Sequence, residues 1–140
     1  MGAKTAKEIQ GDFLAMLQVS PLAEAISGSV YRAGLRPRDS RNEDITVALV
    51  SGLADQIQRG VVAICVYVPD SDPYNNGVLV EDMKRTADLE RIAQDWVDTF
   101  PERGTDYVLQ LQDTITTVAE ESIHQHFVSI MLHYRLFTEY

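Results

Sequence analysis

The chain has 140 residues, 45% of them hydrophobic and 24% charged, which fits one globular domain with one core and argues against a disordered or membrane-spanning chain. Its 21 acidic against 12 basic side chains leave a net charge of −9, unsuited to a duplex-binding surface that must neutralise many phosphates. The one cysteine, Cys65, forbids an intramolecular disulfide and suits a reducing compartment.

Residues 1–10 carry lysines but no apolar core of signal-peptide length, so cytoplasmic synthesis without export is the expectation. Thr5-Ala6-Lys7-Glu8 is a capping box and predicts a helix start. Ile9, Phe13, Met16 and Leu17 then form one apolar stripe, with Lys7, Gln10 and Gln18 away from it. Ser20-Pro21 opens a second, shorter helix through Ile26, and Ser27-Gly28 ends it. Residues 29–33 are a short strand candidate. Residues 34–43 are a loop, and with Arg32 they place Arg36, Arg38 and Arg41 within ten positions.

The densest run of β-branched and aromatic residues spans 44–70. Residues 45–50 and 61–68 are apolar on both pleat faces, as in strands buried on two sides, and the glycine-bearing segment between them predicts a long antiparallel hairpin. Residues 70–77 hold two-sided turn chemistry, with Pro73 and the Asn76-Gly77 step, and a loop of this length commonly binds something. Residues 79–100 predict the longest helix, with Leu89, Ile92, Ala93, Trp96, Val97 and Phe100 on one face; Pro101 stops it and Gly104 turns the chain. Residues 106–119 alternate in their first half, Tyr107, Leu109 and Leu111 inward, and fray at Asp113. Residues 123–137 alternate most clearly, with Val128, Ile130, Leu132, Tyr134 and Leu136 on one side and Gln125, Ser129, His133 and Arg135 on the other. The order α-α-β-β-β-α-β-β predicts an α+β fold: a single mixed, mainly antiparallel sheet of about five strands with helices packed on one face.

Chemical signatures are sparse. Pro69-Asp70 followed by Asp82-Met83-Lys84 superficially matches the PD…(D/E)xK pattern of restriction-like nucleases, in which Asp70 and Asp82 would hold a metal and Lys84 would position water. That chemistry wants the second acid and the lysine on a strand, whereas here they open a helix, where acids are explained by the helix dipole. His124 and His126 would share one side of a strand but lack a third ligand. Cys65, between Ile64 and Val66, reads as core rather than nucleophile. Trp96, Tyr134, Phe137 and Tyr140 read as core and strand-end packing. No G-x-S-x-G, P-loop or dinucleotide fingerprint occurs, so no catalytic residue, metal or cofactor is expected. An acidic adaptor or immunity-type binding protein is a further alternative.

The element order, the hairpin of residues 45–68, the helix of residues 79–100 and the closing strand His126-Phe127-Val128-Ser129-Ile130-Met131-Leu132-His133-Tyr134-Arg135 resemble the tail terminator or tail-completion proteins of long-tailed phages, of the lambda minor tail protein U type. The run Ser27-Gly28-Ser29-Val30-Tyr31-Arg32, continuing through Arg36-Pro37-Arg38-Asp39-Ser40 to Glu43-Asp44-Ile45, also resembles hypothetical prophage proteins of Bacteroides-like genomes. The resemblance implies a non-enzymatic subunit that assembles into a ring, often hexameric, which caps the tail tube and meets head–tail connector proteins. It would reside in the host cytoplasm before assembly and in the virion tail afterwards. Position alone makes Arg32, Arg36, Arg38, Arg41, Asp70, Asp72, Tyr74, Asn75 and Asn76 the candidate subunit interface.

Overall fold

The last strand of the chain is the spine of the molecule. In the computed structural model, which describes residues 3–53, 57–103 and 105–137, β6 (Gln125–Phe137) runs the full height of a six-stranded mixed sheet. On one side it pairs antiparallel with β3 (Ile57–Pro69) over its whole length, Ile57 opposite Phe137 and Pro69 opposite Gln125. β3 pairs in turn with β2 (Ile45–Leu53), and the short β1 (Val30–Arg32) closes that edge in parallel with β2. On the other side β6 pairs with β4 (Tyr107–Leu111) and β5 (Thr116–Glu120), which lie along it one after the other. The fold is α+β.

Three helices cover one face of this sheet. The capping box at Thr5 is formed as predicted and starts α1 (Ala6–Gln18), with the Thr5 side chain accepting from the Glu8 amide. Ser20 caps α2 (Pro21–Ala25), and Asp82 caps α3 (Met83–Asp98). The buried stripe of α1 is Ile9, Phe13 and Leu17, and that of α3 is Leu89, Ala93 and Trp96. They meet Ile45 and Val47 of β2, Val62, Ile64, Val66 and Val68 of β3, and Val128, Ile130, Leu132, Tyr134 and Leu136 of β6. Each of these aliphatic side chains contributes about 1.5–3 kcal/mol on burial. Phe13 packs on Tyr107 and Tyr134 with ring centroids 5.1 and 5.8 Å away, and the two tyrosines are 6.1 Å apart, tilted or edge-on as ring quadrupoles prefer.

Several expectations are corrected. The hairpin is not buried on two sides: Val61, Ala63, Cys65 and Tyr67 alternate with the core residues of β3 and are only half-buried, because no helix lies over them. Its strands also extend beyond the apolar runs, since Ser51 to Leu53 and Ile57 to Gly60 find ladder partners; a bulge between Leu49 and Ser51 takes up the extra residue Val50. The predicted strand of residues 106–119 is two strands, which brings the sheet to six, close to the expected count of about five. Gln112 still donates to Met131, but the chain then leaves the ladder and buries Ile115 before β5 begins. The long helix starts at Met83, because residues 71 and 80 bridge to each other and hold the preceding stretch extended. Gln10, expected off the apolar stripe, is buried, its amide donating to the Val47 carbonyl at 2.7 Å. The hairpin tip at residues 54–56, the turn at Gly104 and Tyr140 lie outside the described residues. Among the described residues no helix is long and apolar enough to cross a membrane.

Candidate functional site

Asp44, the residue before β2, is fully buried and forms a densely bonded polar centre. Its Oδ1 accepts from the Ser29 amide at 2.9 Å, and its Oδ2 accepts from Arg36 Nε at 2.8 Å and from the Ser40 hydroxyl at 2.5 Å. Arg36 Nη2 donates onward to Gln125 Oε1 at 2.9 Å and to the Asn42 carbonyl at 3.1 Å, while Gln125 Nε2 donates to the Ser40 carbonyl at 2.8 Å. The guanidinium lies 4.3 Å above the Tyr67 ring, where its charge meets the negative ring face. Gln125, expected on the polar side of its strand, is thereby sealed to 1% exposure. Gly28 is required at this centre, because a Cβ there would sit 1.9 Å from Asp44 Oδ1. The cluster fastens the 34–43 loop to β2, β3 and β6. Every carboxylate lone pair it uses is satisfied internally, so it works as a fastening rather than as a reactive centre.

The candidate interface arginines divide accordingly. Arg32 donates to the Lys7 carbonyl and to Gln10 Oε1, and Arg41 donates to the Ile123 carbonyl. Arg32 and Arg36 are half-buried, whereas Arg41 stays exposed while making its bond. Arg38 stands exposed at the rim of a concavity of about 340 Å³ that Tyr67, Glu120 and Ile123 also line.

The 70–77 loop is held by its own bonds. Asp72 accepts from the amides of Asn76 and Gly77, and Asn76 Oδ1 accepts from the Val78 amide. Asn75 takes a left-handed conformation, φ 52°, which asparagine tolerates. Tyr74 is carried outward at 81% exposure.

Asp70, Asp82 and Lys84 have separate partners. Asp70 Oδ1 is 2.7 Å from His126 Nδ1, Asp82 Oδ1 accepts from the Arg85 amide, and Lys84 pairs one turn along α3 with Asp88 from a side chain 88% exposed. Glu81 approaches the other nitrogen of His126 at 3.7 Å and accepts from the Thr86 hydroxyl. His124 does not join His126 on one side of a strand, since it adopts a left-handed turn just before β6. Among the described residues no group of three or more His, Cys, Asp or Glu side chains is arranged to hold a metal. Burial pushes the Cys65 thiol up, against a lowering hydrogen bond with Thr46, which disfavours the thiolate.

The open face of the sheet carries the residues sequence reasoning passed over. Arg59 stands directly opposite Arg135 in the β3–β6 ladder, and Val108 of β4 is the other neighbour of Arg135. One step along, Val61, His133 and Gln110 form the next row. Arg59, His133, Arg135, Val108 and Gln110 line a concavity of about 170 Å³. Comparison of the chain with protein-family models and with curated proteins finds no match.

Proposed function

We propose that the chain is a non-enzymatic assembly subunit of the phage tail terminator or head–tail joining kind, forming a ring that meets a tail tube and connector proteins. One observation carries the reading: among the described residues the three α-helices of the six-stranded sheet all lie on one face. The open face presents Val50, Val108, Val118 and Phe137 at 40–56% exposure around the half-buried Ala63, Cys65 and Met131. An apolar surface that no α-helix covers is what a subunit keeps for a neighbour. The polar clusters support the same reading, since their side chains bond one another and hold the fold.

Light scattering after size exclusion, over a concentration series with and without EDTA, tests it. A closed ring of five or six subunits indifferent to chelator is the expected result. A single-chain mass at every concentration, with stability that depends on a divalent metal, would move the reading to a metal-dependent hydrolase.

A further inference from the structure

We infer that the Arg59–Arg135 patch on the open sheet face is the docking site for an acidic surface of a second copy of this chain, an inference that rests on the assembly reading above. Two arginines facing one another across neighbouring strands repel, because their Cβ atoms lie about 4.5–5.5 Å apart, and a fold gains nothing from that placement. His133 adds a third basic group one row away. Among the described residues no carboxylate lies within ion-pairing distance of Arg59 or Arg135. Arg36, Arg85 and Arg91 each have a carboxylate partner, and Arg32 and Arg41 donate to carbonyl or amide oxygens; Arg59 and Arg135 differ in standing opposite one another.

The surroundings of the pair identify the class of partner. Val108 and Phe137 are 41% and 50% exposed beside it, and Val61 is half-buried. A free phosphate or carboxylate ion would use the charges and leave this apolar rim wet. A protein surface covers both, and arginine surrounded by apolar groups is the composition of interface cores. The chain itself supplies the complementary charge, with 21 acidic side chains against 12 basic ones and a net charge of −9. A basic patch that meets acids elsewhere on an identical subunit makes a head-to-tail contact, and such contacts close into rings when the rotation closes.

The test compares the wild type with Arg59→Glu and Arg135→Glu by light scattering and sedimentation over a concentration series at low ionic strength. Each reversal places a carboxylate opposite the remaining arginine, so the variants should melt no lower than the wild type while associating at concentrations at least about tenfold higher. Raising salt from about 0.05 to 0.5 M should weaken wild-type association in the same direction. Variants that assemble like an assembling wild type would overturn this inference alone. A wild type that stays a single chain throughout would overturn both it and the assembly reading. Inorganic phosphate, titrated at constant ionic strength, should bind no tighter than the millimolar range. Submillimolar binding lost in both variants, without effect on association, would make the patch a small-oxyanion site instead. A clear fall in melting temperature in both variants would make it structural.

Discussion

Tyr134 and Arg135 are neighbours on one strand and live in different solvents. Tyr134 points under the helices, is 1% exposed and packs its ring against Phe13 and Tyr107. Arg135 points the other way, into water, opposite a like charge. The same alternation separates Ile64 from Cys65 and Val66 from Tyr67 along β3. The covered face is therefore organised by what folding requires, namely filled volume and satisfied polar atoms. Away from the end that the 34–43 loop covers, the open face is free of that demand, and features there that cost stability point to function.

Substitutions should separate the faces by size of effect. Trp96→Ala on α3 empties the largest side chain of the covered face and should cost about 3–5 kcal/mol in urea unfolding. Gln125→Ala should cost about 1–3 kcal/mol, although its strand position assigns it to the open side, because it strips partners from the buried Arg36 and from the Ser40 carbonyl. A loss below a few tenths of a kcal/mol would show that the loop over Gln125 does not seal it.

Alkaline pH probes the covered face by another route. Burial raises the Tyr107 and Tyr134 hydroxyls above the ordinary value of 10.0, and at Tyr107 the hydrogen bond to Asp12 adds to it. Above that pH the unfolded chain releases tyrosine protons that the folded chain retains. Stability is thus full below about pH 10 and falls as pH rises further, by about 1.4 kcal/mol per pH unit for each proton withheld. Unfolding followed by fluorescence from pH 8 to 11 should show a plateau and then a decline. The smallest effect belongs to the open face: Arg135→Gln should raise stability by a few tenths of a kcal/mol by relieving Arg59. A loss of 1 kcal/mol or more would mean that the pair is integral to the sheet.

What the sequence disclosed follows the range of the interactions. The capping box at Thr5, the stripe of α3 and the alternation of β6 depend on neighbours within a few positions, and all three are present in the structure. Gln10 and Gln125 look like surface residues because their partners, Val47 with Arg32 and Arg36 with Ser40, are distant in the chain. The same limit hid the character of the arginine loop, whose count was visible but whose buried acceptor, Asp44, was not. The Arg59–Arg135 pair emerges only with register, since Arg59 read as part of a turn until β3 was seen to reach Ile57. The parallel pairing of β1 with β2 likewise has no local signal.

The central position of β6 has a consequence for how the molecule is made. Its partner β3 is synthesised long before it, and Pro69 must wait for Gln125, Ile57 for Phe137. Until β6 has been synthesised, one long edge of the β2–β3 hairpin stands unpaired. Closure of the core is thus a late, non-local event, which makes folding slow and exposes a sticky intermediate at high expression. Chains truncated before β6 should collect in the insoluble fraction, and a supply of the missing strand as a separate peptide is the natural way to draw them back.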